Sequence, residues 1–188
     1  MIDILITNKT RIRLLTRFFL NSNAKAHLRG LAGEFGESTN AIRLELNRFE
    51  KAGLLTSSQE GIKKVFQANT RHPFFEDIHR ILLKHHGFDH IIRKVINGLG
   101  TLKQVFITGD FARGNDGGPI SLLFIAGEIN RDYLRSLVAK AEQIISNRIE
   151  YRICTEAEAI KILSGLNEEE YLLLWEDDGS DKENESER

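Results

Sequence analysis

The stretch that most constrains the fold of this 188-residue chain is Glu34–Phe66, EFGESTNAIRLELNRFEKAGLLTSSQEGIKKVF. Ser38 has the side chain of an N-cap, because its hydroxyl can accept from the free amides of a first helical turn. The spacing predicts a helix from about Thr39 to Ala52, with Gly53 at the left-handed position that ends it. Ile42, Leu46 and Phe49 recur at helical spacing as one buried stripe. Thr39, Asn40, Arg43, Leu44 and Asn47 then face outward. Upstream, Ala24–Phe35 reads as a second helix with His27, Leu28 and Leu31 inward, and Gly36 supplies the turn between the two. Downstream, Leu54–Thr56 and Lys63–Gln67 read as two short strands around a Ser57–Gly61 turn.

Two helices on a glycine turn, followed by a basic hairpin, suit a surface that docks on duplex DNA. Thr39, Asn40, Arg43 and Asn47 carry the groups that reach base edges or phosphates in a major groove. Lys63 and Lys64 on the hairpin suit contacts to the phosphate backbone. The same shape also serves as a protein-contact module, and these residues alone leave that alternative open. The order of elements resembles the ArsR-like winged-helix regulators. There, S-x-N-A-hydrophobic…L…L-E-x-A-G-L-L recurs, matched here by Ser38, Asn40, Ala41, Ile42, Leu46, Phe49, Glu50, Ala52, Gly53, Leu54 and Leu55. The expected DNA contacts are Ser38, Thr39, Asn40, Arg43, Asn47, Lys63, Lys64 and Arg11. Leu44 departs from the pattern as an apolar residue on the outer face, able to touch a thymine methyl or pack on a partner.

A net charge of −1 argues against a nucleic-acid partner until its distribution is considered. Residues 1–72 hold 12 lysines and arginines against 6 acids, a balance of +6. Residues 73–175 balance at −2 and residues 176–188 at −5. The basic excess lies with the proposed DNA reader, as phosphate neutralisation requires. No apolar run is long enough to span a membrane. The start MIDILITNKTRIRLL lacks the pattern of a signal peptide. One cysteine, Cys154, excludes an internal disulfide and a cysteine-based zinc site. A cytoplasmic protein is the simplest expectation.

Lys9–Leu20 reads as a first helix, with Leu14, Leu15, Phe18 and Phe19 inward and Arg11, Arg13 and Arg17 on the wet side. His72-Pro73 closes the hairpin. Pro73–Lys84 and Asp89–Leu99 read as helices, one with Phe74, Ile78, Ile81 and Leu82 on its apolar face, the other with Ile91, Ile92, Val95 and Ile96. The resemblance to winged-helix regulators implies a dimer seam for them, and a plain connector is the alternative. His85, His86 and His90 have partial metal-ligand spacing but no cysteine to complete a set.

From Leu102 the pattern becomes α/β. Gln104–Thr108 and Ile120–Ala126 read as strands. Gly109–Gly114 reads as a turn into a short helix, and Asn130–Asn147 as an amphipathic helix. Arg148–Thr155 reads as a third strand, with Ile149, Tyr151 and Ile153 on one face. A helix capped by Thr155 and Glu158 follows, then a short helix over Asn167–Trp175. The tail from Glu176 is too polar to fold.

The span Thr108–Ala126, TGDFARGNDGGPISLLFIA, resembles a minimal nucleotidyltransferase, whose motif is Gly-Ser-x-Ala-x-Gly followed by Asp-x-Asp on the next strand. The resemblance makes Gly109, Asp110, Arg113 and Gly114 candidate nucleotide or ligand contacts. Asp110 stands where serine is expected, and the metal carboxylates fall on Pro119 and Ser121. Asp116 lies in the loop, and Glu150 offers one further carboxylate. Catalysis through a pair of Mg²⁺ ions is therefore expected to be lost. No Walker A motif, dinucleotide fingerprint or nucleophile elbow is present.

The expected fold class is α+β, an N-terminal winged helix-turn-helix followed by a small α/β nucleotidyltransferase-like domain. Its expected parts are residues 1–72, connecting or dimerisation helices over 73–100, the second domain over 101–175, and an acidic tail over 176–188. The expected function is a sequence-specific, homodimeric transcriptional regulator of double-stranded DNA, with no catalytic residues, metal or cofactor. Its second domain would serve dimerisation, partner binding or the sensing of a small molecule or nucleotide. The alternatives are an Mg²⁺-dependent nucleotidyltransferase with an altered metal site, and an antitoxin-like interaction adaptor.

Overall fold

The computed structural model describes residues 6–88, 99–115, 118–143, 145 and 147–177. It is mixed α+β, with helices and two small sheets. The chain divides into two compact units: Met1–His86 with Ala112–Asp116, and Gly87–Phe111 with Gly117–Arg188.

In the first unit, helix α1 (Lys9–Leu15) starts at Asn8, whose side chain accepts from the Arg11 amide. It runs on as a π-helical turn, Thr16–Leu20. That wider turn adds a residue to the ladder and shifts the faces beyond it. Every residue of Thr16–Leu20 is buried as a result. Arg17, expected on the wet side, is only 6% exposed. Its guanidinium donates to the Lys25 carbonyl at 3.2 Å and lies 3.7 Å from the Glu34 carboxylate.

The helix expected from Ala24 begins only at Leu28. Ala26–His27 is strand β1, antiparallel to the second hairpin strand through Ala26↔Phe66 and His27↔Val65. The hairpin's inner edge needs backbone partners there, and they come from two residues that a helical pattern would otherwise absorb. Helix α2 (Leu28–Phe35) ends at Gly36, φ +64°, and helix α3 (Thr39–Lys51) follows. The Ser38 side chain accepts from the Ala41 amide at 3.2 Å, as its N-cap role requires. At the far end the Gly53 amide donates to the Glu50 carbonyl (3.0 Å) and the Leu54 amide to the Phe49 carbonyl (2.9 Å). This is a Schellman stop, with Gly53 at φ +72°.

Strands β2 (Leu55–Glu60) and β3 (Lys63–Ala68) are longer than expected, and sheet order is β1-β3-β2. The turn expected over Ser57–Gly61 is instead the two-residue turn Gly61-Ile62, since Glu60 pairs with Lys63. Glycine at its first position, φ +59°, supplies the conformation such a hairpin needs. Polar residues hid the strand because both of its faces are wet: Thr56 to Glu60 are all exposed.

Helix α4 (Phe75–His85) belongs to the same unit, with Phe75 and Leu82 in its core. Phe74 and Ile81, expected inward, are exposed; the helix starts two residues later than expected and its inward row is Phe75, Ile78 and Leu82. His79 Nδ1 donates to the Phe19 carbonyl at 2.8 Å, tying α4 to the π turn. The core joins Leu14, Phe18, Phe19, Leu31, Ile42, Leu46 and Phe49 with Leu55 at the start of β2 and with Phe66 and Ala68 of β3. The helix expected over 89–99, with Ile91, Ile92, Val95 and Ile96, lies outside the described residues.

The second unit is a four-stranded sheet in the order β6 (Ile149–Cys154), β5 (Ile120–Ile129), β4 (Gly100–Thr108) and β7 (Tyr171–Glu176). Strand β4 (Gly100–Thr108) pairs antiparallel with β5 (Ile120–Ile129), and β5 lies parallel to β6 (Ile149–Cys154) through helix α5 (Arg131–Glu142). Residues Leu122–Ala126 of β5 are buried on both faces, which is why they read as one unbroken apolar run. Helix α6 (Glu156–Leu163) carries the expected Thr155–Glu158 capping box and covers Phe106, Leu123, Ile125 and Cys154.

Two expectations fail here. Asn167–Trp175 is not a helix: after a 3₁₀ turn, Glu168–Glu170, it becomes strand β7 (Tyr171–Glu176), antiparallel to β4. A short apolar run cannot by itself distinguish the two structures, and here the open edge of β4 decides. In β6, Ile149 and Cys154 are buried while Tyr151 is 37% exposed, so the expected alternation does not hold. Burial also raises the Cys154 thiol pKa, as suits an inert core cysteine.

Two glycine substitutions should shift stability in opposite directions. Gly53→Ala forces alanine into a left-handed conformation and should cost about 1–2 kcal/mol. Gly33→Ala meets open space within α2 and should add about 0.5–1 kcal/mol. Urea unfolding of the full chain measures both.

Candidate nucleic-acid interface

The first unit gathers its polar outer residues at one place. Thr39, Asn40, Arg43, Leu44 and Asn47 are all exposed along the outer face of α3. Between that face and the β2–β3 hairpin runs a groove of about 470 Å³. Arg43, Asn47, Lys63 and Lys64 line it, together with Arg29 and Ile62. Leu28, Leu46 and Phe66 form its apolar floor. Arg29 and Ile62 were not singled out in the sequence; only the folded groove relates them to α3.

The cations differ in how they are held. Arg43, Lys63 and Arg29 enter no ion pair among the described residues. Lys64 Nζ sits 2.7 Å from Glu50 Oε2 and above the Phe66 ring at 5.0 Å. Glu50 also accepts from the Ser57 hydroxyl at 2.6 Å, so one carboxylate fastens both hairpin strands to the end of α3. Lys64 and Ser57 together hold the Glu50 pKa below its ordinary value, the lysine contributing more.

Arg11 is committed elsewhere. Its guanidinium binds the Glu45 carboxylate on α3, Nε–Oε2 2.9 Å and Nη2–Oε1 3.3 Å. Asn8 Nδ2 donates to the same carboxylate at 3.3 Å, and Arg48 pairs with it as well. Glu45 is 3% exposed. The hydrogen bond from Arg11 is the main cause that lowers its pKa, ahead of the opposing effect of burial. The clasp fixes the rotation of α3 about its axis, and with it which side chains face outward.

The second constellation is arranged differently from the resemblance. No helix follows β4 among residues 109–115, so no helix N-terminus faces a phosphate. The Gly109 amide donates to the Glu170 carbonyl at 2.9 Å. Gly114 faces the Arg17 backbone, both within the first unit, and a Cβ there would come within 2.4 Å of Arg17 Cα. Close approach accounts for that glycine without a ligand. Asp110 and Arg113 occupy the same turn. Asp116 lies outside the described residues. Thr108, Ser121 and Glu150 are neighbours across the sheet, one carboxylate beside two hydroxyls. Of the histidines, His86 Nε2 is 3.4 Å from the Thr16 hydroxyl and His85 packs against its ring. His90 lies outside the described residues, and among these no cluster of metal-ligating groups occurs. No described helix is long and apolar enough to cross a membrane.

A Glu45→Gln chain should be about 1–3 kcal/mol less stable near neutral pH, since hydrogen bonds to charged partners are lost. The folded-state pKa of Glu45 is lowered, so its contribution is present above the unfolded value of about 4.3 and disappears as pH falls through the folded one. Urea unfolding at successive pH values should therefore show the two chains converging in acid.

No family profile and no curated protein sequence matches this chain. Solved structures give partial likenesses. Reduced HlyU from Vibrio cholerae matches at 16% identity and TM-score 0.35, over 45% of this chain and 83% of its own. A proposed nucleotidyltransferase from Sulfolobus solfataricus matches at 22% identity and TM-score 0.35, over 52% and 83%. A toxin–antitoxin complex with AMP-PNP matches at 12% identity and TM-score 0.38, over 51% and 78%. Similarities of this size place the chain in no family.

Proposed function

We propose that the chain is a DNA-binding transcriptional regulator whose first unit is a winged helix, with α3 reading the major groove and the β2–β3 hairpin as the wing. The observation that carries this reading is the groove where Arg43 and Asn47 of α3 meet Lys63 and Lys64 of the hairpin. Such a reader needs its base-reading and phosphate-holding side chains on one continuous surface, and the candidates Arg43, Asn47, Lys63 and Lys64 share one groove. Arg43 and Asn47 sit one helical turn apart on the exposed face. Ser38, Thr39 and Asn40 lie at the N-terminal end of α3, where backbone amides and short polar side chains suit a phosphate. Lys63 serves the opposite phosphate rail. Arg11 contributes by holding Glu45.

In this reading the second unit is a non-catalytic module for dimerisation, partner contact or ligand sensing. Its support is chemical: the strand positions next to the Gly109 turn offer one carboxylate, Glu150, where phosphoryl transfer through two metals needs several. A homodimer would present two copies of α3 to a two-fold site, in the cytoplasm where such a site is found.

The test is titration of the full chain against fluorescent duplexes from its own upstream region, over a range of salt. Tight binding that weakens steeply with salt and exceeds that to a scrambled duplex is expected. Arg43→Ala should lose about 1–3 kcal/mol on the specific duplex, whereas Lys63→Ala should weaken all duplexes alike and lower the salt slope by about one. Weak, sequence-blind binding at low salt would overturn the reading.

A further inference from the structure

We infer that Ile62, at the tip of the hairpin, is an apolar wedge that enters the DNA minor groove beside the α3 site and reads the deformability of one base step. This rests on the DNA-binding reading above. Ile62 is 98% exposed, the most exposed large apolar side chain described. It is the second residue of a two-residue turn, a position where small polar residues are the usual choice. A β-branched apolar residue there breaks the local rule with no packing gain within the chain. Branching at Cβ restricts its first side-chain torsion, which suits a probe.

The hairpin is braced to carry such a probe. Glu50 holds Ser57 and Lys64, and the Gln59 side-chain amide donates to the Gly61 carbonyl at 3.0 Å within the turn itself. From the Ser57↔Phe66 rung the tip lies four residues on, roughly 13 Å at about 3.3 Å per residue. Ile62 lines the same groove as Arg43 and Asn47, so the base-reading helix and the tip address one stretch of duplex. Lys63 follows it directly for a phosphate rail, and the charge of Glu60 on the other side is offset by Lys25 at 3.9 Å.

A single isoleucine fits the narrow minor groove, which admits no helix. Burying its side chain gains about as much free energy as unstacking one base step consumes. Insertion is therefore favourable only where stacking is weak, at pyrimidine–purine steps such as TA or CA. The wedge converts that difference into sequence preference at a position that no hydrogen bond reads.

The experiment selects duplexes from a random-sequence library with the full-length wild type, Ile62→Ser and Ile62→Leu. Ile62 contacts no core, so these chains fold alike. The wild type and Ile62→Leu should enrich a pyrimidine–purine step at fixed spacing from the bases read by α3. Ile62→Ser should keep those bases, lose the step, and bind the wild-type duplex roughly tenfold more weakly, the size of one position's discrimination. 2-Aminopurine placed in the step should brighten with the wild type and stay quenched with Ile62→Ser. An Ile62→Ser chain that enriches the same step, or that weakens all duplexes equally, overturns the wedge while leaving DNA binding intact. A wild type that enriches nothing overturns both readings.

Discussion

The Glu45 carboxylate is the interaction on which the first unit's outer surface depends. A helix with one apolar stripe can roll by some degrees about its axis without losing that stripe. Glu45 removes this freedom, because Arg11 and Asn8 at the start of α1 and Arg48 on α3 converge on it. A nearly buried carboxylate is tolerable only with several donors, and it has them. The cost of placing charge inside gives a fixed rotation of α3, and that rotation sets Arg43, Leu44 and Asn47 outward. Arg11, whose charge alone would suggest a phosphate contact, acts through this geometry.

Glu50 does for the hairpin what Glu45 does for the helix. The Schellman stop at Gly53 turns the chain sharply, and the residues that follow enter β2 beside the end of α3. An isolated two-stranded ribbon is marginal in water. This one gains a third strand from Ala26–His27, paired to β3, and a clamp from Glu50 that holds Ser57 of β2 and Lys64 of β3. The groove is the space left between two rigidly held walls. Its free cations are those that neither clamp has taken.

Along Gly109–Gly114, a sequence that looks like a phosphate cradle has its glycines used by the chain itself: Gly109 within the second unit and Gly114 within the first. The Gly109 amide is satisfied by Glu170, next to strand β7, and Gly114 is required by close approach to Arg17. A glycine-rich turn reads the same whether the missing side chains make room for a ligand or for the protein's own backbone. Only the partners distinguish the two.

Much of the architecture was legible in the chain itself. Local chemistry determined the Ser38 and Thr155 caps, the Gly36 and Gly53 stops, the stripe Ile42–Leu46–Phe49, and the presence of strands β2 to β6 along the chain. These depend on hydrogen bonds and periodicities within a few residues of one another. What the tertiary structure decided was long-range. The strand character of Ala26–His27 and Tyr171–Glu176 came from sheet edges that needed partners. The burial of Arg17 came from a π turn that shifts the helical faces. The commitment of Arg11 and Lys64 to carboxylates, and the meeting of Arg29 and Ile62 with α3, join residues 14 to 34 positions apart. No local pattern encodes which charge will find which partner at that distance, so the candidate residues could be named from sequence while their division into ion-paired and unpaired side chains could not.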